Sequence, residues 1–201
     1  MKSLLFFGDS NTYGYDPRGY FADRYPKDVR WTDRLAEELK EEWNIFSDGV
    51  NGRTIPSASY SLRYVLSLLQ GNGGDPGIDL FAVMLGTNDL FSSYPAFSAD
   101  DAAEKMESFL DFLSENVPKI PVLLIAPPAV GSDASGVPEE QLLRRESLRL
   151  GQLYGEIAEQ RNLPFINTAE WVIPLAFDNV HLSAEGHRVF AEEMKQALRK
   201  L

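Results

Sequence analysis

Four short segments carry residue types that could perform nucleophilic chemistry: Gly8-Asp9-Ser10-Asn11, Asn51-Gly52, Gly86-Thr87-Asn88-Asp89 and Asp178-Asn179-Val180-His181. A serine hydroxyl becomes a useful nucleophile when a base takes its proton. His181 can be that base. The two residues between it and Asp178 let a bent loop bring the carboxylate to Nδ1 and leave Nε2 facing outward. Ser10 follows an apolar run and a glycine, so a sharp strand-to-helix turn can display it with its N–H free at a helix start. Acyl transfer from an ester passes through an oxyanion, which fixed donors stabilise. Gly52 can offer its backbone N–H where no side chain blocks a close approach, and Asn88 can offer a side-chain amide. Each segment alone has an ordinary explanation: a helix-capping serine, a loop histidine paired with an aspartate, a turn glycine, a turn asparagine. All four at strand ends are much harder to explain by turns. The second histidine, His187, falls inside the last helical stretch and reads as structural.

These residues need elements that bring them together. Short apolar runs at Leu4–Phe7, Asn44–Val50, Leu80–Leu85, Val122–Ala126 and Pro164–Asn167 suit strands covered on both faces. Between them lie stretches of helical period. Trp31, Leu35, Leu39 and Trp43 form one stripe, and Met106, Phe109, Leu110, Leu113 and Val117 another. Ser98, followed three residues later by Asp101, is a capping-box-like start. Pro138 opens a helix bearing Leu142, Leu150, Leu153 and Ile157. Ser183 caps a last helix that buries Val189, Phe190, Met194 and Leu198. The segment Ser57–Leu69 reads as helical with a weaker pattern. Strand and helix alternate five times, which predicts one three-layer α/β domain over residues 1–201 with right-handed crossovers. In such a sheet, ligands bind beyond the carboxyl ends of the strands, and that is where Ser10, Gly52 and Asn88 fall. The glycine-rich stretch Gly71–Gly77 reads as a surface loop. It is not a dinucleotide fingerprint, because Pro76 replaces the third glycine and no strand leads into it.

The segments Phe7-Gly8-Asp9-Ser10-Asn11-Thr12, Asn51-Gly52-Arg53-Thr54, Gly86-Thr87-Asn88-Asp89 and Asp178-x-x-His181 resemble, in order, the four signature blocks of the SGNH (GDSL) hydrolases. The resemblance spans nearly the whole chain. It implies a flavodoxin-like fold with five parallel strands and a serine carboxylic-ester hydrolase. It further implies Ser10 as nucleophile, His181 as base, Asp178 as its partner, and an oxyanion hole of the Ser10 N–H, Gly52 and Asn88. The loop after Ser10, with Tyr13-Gly14-Tyr15-Asp16-Pro17, Arg24-Tyr25-Pro26 and Arg30-Trp31, is similar to the arylesterase/acyltransferase-like branch. Tyr13 stands where several members of that branch have tryptophan. The branch implies small acyl groups and, for some members, a homo-oligomer.

Composition narrows the alternatives. The formal charge is −11 with no basic run, so neither nucleic acid nor an anionic membrane is an expected partner. There is no cysteine, which excludes disulfides, thiolate zinc sites and a cysteine nucleophile, and two histidines make a multi-histidine metal cage unexpected. No metal and no cofactor is expected; the expected partner is a small-molecule ester. The first apolar run stops at Phe7, too short for a secretory core, so the expectation is a cytoplasmic protein. A carbohydrate O-deacetylase would use the same residues. Tyr13, Tyr15, Phe91, Tyr94 and Trp171 could stack on sugars or fill the core. A nucleotide- or flavin-binding module could hold a phosphate at Ser10-Asn11-Thr12, but such a cradle has no need of Asp178 and His181. A catalytically dead hydrolase-like interaction module is the third alternative, and the intact set of five residues argues against it.

Overall fold

A computed structural model describes residues 2–19, 23–70 and 77–201. The expected surface loop at 71–77 therefore falls, but for its last residue, outside the described residues. Five parallel strands form one sheet: β1 (Lys2–Gly8), β2 (Trp43–Gly49), β3 (Leu80–Met84), β4 (Val122–Ala126) and β5 (Phe165–Asn167). Their order is β2-β1-β3-β4-β5, the flavodoxin-like arrangement. The helices are α1 (Ser10–Tyr13), α2 (Trp31–Glu38), α3 (Ser59–Gln70), α4 (Thr87–Ser92), α5 (Ala99–Asn116), α6 (Pro138–Arg161) and α7 (Ala184–Leu198).

The alternation of side chains along a strand divides the core in two. Leu5 and Phe7 of β1 join Phe81, Val83 and Leu124 against α3, α5 and α6. Leu4 and Phe6 face the other way, joining Ala82, Met84, Leu123 and Ile125 against α2 and α7. All four apolar residues of β1 are buried. Fully burying one such leucine or phenylalanine is worth about 1.5–3 kcal/mol, so β1 is fixed from both sides. The chain reverses direction across the sheet between β1 and β3, and there the switch-point crevice opens.

Several local expectations hold. Asp101 donates its backbone N–H to Ser98 Oγ at the start of α5, Pro138 opens α6, and Ser183 Oγ accepts from the Gly186 N–H at the start of α7. Two do not. The first stripe was expected to run through Trp43, but α2 stops at Glu38 and Trp43 opens β2. A four-residue spacing continued by chance across the turn. β2, expected to be covered on both faces, is an edge strand, and its Asn44, Phe46 and Ser47 are exposed. Among the described residues no helix is long and apolar enough to cross a membrane.

Candidate active site

The site begins where β1 ends. Gly8 leads into Asp9, whose carboxylate accepts the Asn11 N–H at 2.9 Å and caps the short helix α1. Glycine is required at position 8 for space: a Cβ there would lie 2.1 Å from Thr12 Oγ1. The turn holds Ser10 at the first position of α1, mostly buried but with Oγ facing His181. Among the described residues the Ser10 N–H has no protein acceptor, as the first turn of a helix leaves it.

The loop between β5 and α7 presents His181. Asp178 Oδ1 accepts the backbone N–H groups of Val180 and His181, each at 3.0 Å, which bends the loop into a tight turn. Asp178 Oδ2 then lies 2.7 Å from His181 Nδ1, and His181 Nε2 lies 3.0 Å from Ser10 Oγ. Burial alone would raise the Asp178 pKa, but the His181 ring and the two N–H donors outweigh it and hold the carboxyl below its usual value. An ionised Asp178 keeps Nδ1 protonated and leaves Nε2 as acceptor for the serine proton. Tyr15 packs its ring against the imidazole, with centroids 4.5 Å apart.

The second wall comes from the ends of β2 and β3. Gly52 adopts φ +74° with open space where a Cβ would sit. Glycine is there for its backbone conformation, and its N–H has no protein acceptor among the described residues. Asn88 lies in the first turn of α4, and its Nδ2 donates to the Arg53 carbonyl at 3.0 Å. That bond uses one of the two amide hydrogens and orients the other. Arg53 ties this wall to the nucleophile: its Nη1 donates to the Gly8 carbonyl at 3.0 Å, and the guanidinium lies 4.0 Å from the Phe7 ring centroid. Asp89 accepts the Ile55 N–H at 3.0 Å and pairs with Lys105. A depression of about 370 Å³ adjoins Gly52, lined by Val50, Ile55, Tyr60 and Tyr64 among others. Neither Ser10 nor His181 lines it, and neither lines two larger hollows of about 550 Å³.

The fold thus draws Ser10, Asp178 and His181 into one hydrogen-bonded chain, and sets Gly52 on a loop and Asn88 in the first turn of α4, both tied through Arg53 to the end of β1. His187 lies apart, fully buried at the start of α7. Its Nδ1 accepts the Trp31 N–H at 3.4 Å, its Nε2 has no partner among the described residues, and burial with the nearby Arg30 charge pushes its pKa down to about 4. Among the described residues no group of three or more potential ligands is placed to hold a metal ion.

A family model described as GDSL-like lipase/acylhydrolase matches residues 6–189. The chain belongs to that family. The GDSL-like hydrolase is a serine ester hydrolase by membership, and its relatives agree. It is 21% identical to a GDSL esterase/lipase of Arabidopsis thaliana over 99% of this chain and 86% of the relative. A solved structure of a putative arylesterase from Agrobacterium tumefaciens superposes with TM-score 0.81 at 26% identity, covering 100% of this chain and 99% of the other. A carbohydrate acetylesterase family member from Sinorhizobium meliloti superposes with TM-score 0.80 at 24% identity, over 100% and 98% of the two chains.

Sequence reasoning passed over two side chains of the hydrolase's site. Arg53 was read only as part of a signature block, yet it joins the Gly52 loop to β1. Asn11 was read as a neighbour of the nucleophile, yet both its side-chain polar atoms bond the loop of His181. A polar residue between the buried Ser10 and Thr12 was the available signal, because a buried amide must find partners.

Proposed function

We propose that the hydrolase cleaves short-chain acyl esters through an acyl-enzyme on Ser10. One observation carries this reading: the chain from Asp178 Oδ2 to His181 Nδ1 at 2.7 Å and from Nε2 to Ser10 Oγ at 3.0 Å. The Ser10 hydroxyl donates to His181 Nε2. As Oγ attacks the ester carbonyl carbon, the proton passes to Nε2, and Asp178 stabilises the imidazolium. The carbonyl oxygen becomes an oxyanion that accepts from the Ser10 N–H, the Gly52 N–H and the free Nδ2 hydrogen of Asn88. Collapse breaks the bond to the alcohol, which takes the proton from Nε2 and leaves the acyl group on Oγ. Water then attacks with His181 again as base, and the acid departs. The resemblance of the loop after Ser10 to the arylesterase/acyltransferase-like branch supports a small acyl group, with a depression of about 370 Å³ beside Gly52.

A second reading is a carbohydrate O-deacetylase. The likeness to the Sinorhizobium protein supports it, as does Tyr60, which is 75% exposed on the rim of that depression and free to stack on a sugar. Acyl transfer to an alcohol would use the same acyl-enzyme. A homo-oligomer belongs to the same reading through the branch resemblance, and a monomeric mass in light scattering would reject it.

The test is a panel of nitrophenyl esters from acetyl to decanoyl beside acetylated sugars, with a fluorophosphonate probe read by intact mass. Rates should fall as the acyl chain lengthens, and the probe should add once, at Ser10. Rates that hold or rise to decanoate would reject the short-chain reading. Labelling that persists in Ser10→Ala would reject the nucleophile. Faster turnover of acetylated sugars than of aryl acetates would move the assignment to the second reading.

A further inference from the structure

Asn11 holds more than its place in α1 demands. It is 2% exposed, and all four of its polar groups are bonded. The backbone N–H donates to Asp9 Oδ1 at 2.9 Å, and the carbonyl accepts the Trp31 indole N–H at 2.9 Å. These two bonds fix the residue against the end of β1 and against α2. The side chain then reaches across to a segment some 170 positions away. Its Oδ1 accepts the Leu182 N–H at 2.9 Å, and its Nδ2 donates to the Val180 carbonyl at 3.2 Å. Val180 and Leu182 are the two neighbours of His181. One primary amide therefore grips the backbone on both sides of the base, as one strand grips another.

We infer that Asn11 is a positioning residue that sets the distance between nucleophile and base. The inference rests on the Ser10–His181 reading above and adds a specific cause for its geometry. Ser10 and Asn11 share a peptide bond. Any movement of the His181 loop relative to Ser10 must therefore break at least one of the two amide contacts. The family's name spells Gly-Asp-Ser-Leu, whereas this chain has Gly8-Asp9-Ser10-Asn11. A leucine fills a similar volume but can bond neither Val180 nor Leu182. Two further ties hold the loop from the side of α6, where Gly131 donates to the Asn179 carbonyl and Asn179 Nδ2 donates to Glu140. On the Ser10 side, besides the His181–Ser10 bond itself, Tyr15 donates its N–H to the Ser10 carbonyl and packs its ring on the imidazole, a contact that touches the ring and not the loop backbone.

The decisive experiment is a double-mutant cycle between Asn11 and His181, with thermal midpoints measured on the same preparations. Asn11→Leu should lower kcat on the order of 10²-fold, the loss that a misplacement of about 1 Å can cause, and change KM by less than about twofold. In the His181→Ala background, where no base remains to be placed, adding Asn11→Leu should cost less than about threefold. A merely structural role moves stability and predicts the same fractional loss in both backgrounds. Equal losses would overturn the inference, and so would near-normal kcat in folded Asn11→Leu. If Asn11→Leu does not fold, the cycle is run with Asn11→Asp. That variant is isosteric, keeps an acceptor for the Leu182 N–H and sets a carboxylate oxygen against the Val180 carbonyl. The same non-additivity is expected, and its absence counts equally against the inference. Unchanged turnover in His181→Ala alone would instead show that the base is misassigned, and Asn11 would lose its role with it.

Discussion

Two histidines six positions apart in the chain occupy opposite environments. His181 sits on a loop, part exposed, with one ring nitrogen on Asp178 and the other on Ser10. His187 lies on the buried face of α7, against the Tyr25 ring, with one nitrogen on the Trp31 N–H and the other without a partner among the described residues. On the proposed reading, the same side chain is a reagent in one place and packing in the other. Neighbours decide which: an acceptor on one side and a free approach on the other make a base, whereas burial with no anion in contact keeps the ring neutral.

The widest separation should come from replacing each histidine. His181→Ala should lower kcat by roughly 10⁴–10⁶-fold, the range for removing one member of such a triad, with little change in thermal midpoint. His187→Gln should do the reverse, keeping kcat near normal while the midpoint falls. A large loss of kcat in folded His187→Gln would collapse the contrast.

A smaller effect should distinguish the base from the oxyanion wall. Loss of one oxyanion donor typically costs ~10²–10³ in kcat. Asn88→Ala should fall in that range with KM little changed, and Asn88→Asp should be at least as poor, since a carboxylate repels the developing charge. If Asn88 only holds its loop, the midpoint drops and turnover in the folded fraction stays normal. Measuring kcat, KM and midpoint on one preparation decides between these.

The finest effect is on stability against pH. His187 is held near 4 in the fold against an ordinary 6.5. As pH falls between these values the unfolded chain takes up a proton that the fold refuses, so stability drops. Asp9 has the opposite sign. Burial pushes it up to about 6 from 3.8, partly offset by the Asn11 N–H and by the His181 and Arg53 charges. As pH falls through that window the fold takes up a proton first, and stability rises. The two contributions oppose each other between about pH 4 and 6. His187→Gln should expose the Asp9 contribution, so that denaturant midpoints increase from pH 6 to pH 4. A midpoint that still falls over that range in His187→Gln would show that some other group governs the acid limb.

β1, β3 and β4 were legible because four to six apolar residues between polar turns leave few alternatives to a buried strand, whereas β2 and β5 have more mixed runs and were marked by their place in the alternation. The candidate catalytic segments stood out because residue type and order carry the chemistry. What escaped was set by distance or brevity. α1 and α4, with four and six residues, are too short to display a helical period. Trp43 continued a helical spacing by coincidence. Position 8 was expected to need glycine for a turn, whereas the crowding comes from Thr12 one helical turn on. The bonds from Asn11 to Val180 and Leu182 join opposite ends of the chain, where no local pattern can announce them.

β1 has a consequence for how the enzyme fails. Ser10 is attached to an interior strand of the sheet, buried over Leu4–Gly8, so the amide hydrogens of that strand should exchange only when the whole domain unfolds. The base rides on an irregular loop between Trp171 and Leu182 that includes the exposed Val172 and Phe177. Such a segment can open by itself at far lower free energy. The site should therefore come apart asymmetrically on warming: His181 departs first, Ser10 stays, and activity is lost reversibly while the sheet is still intact.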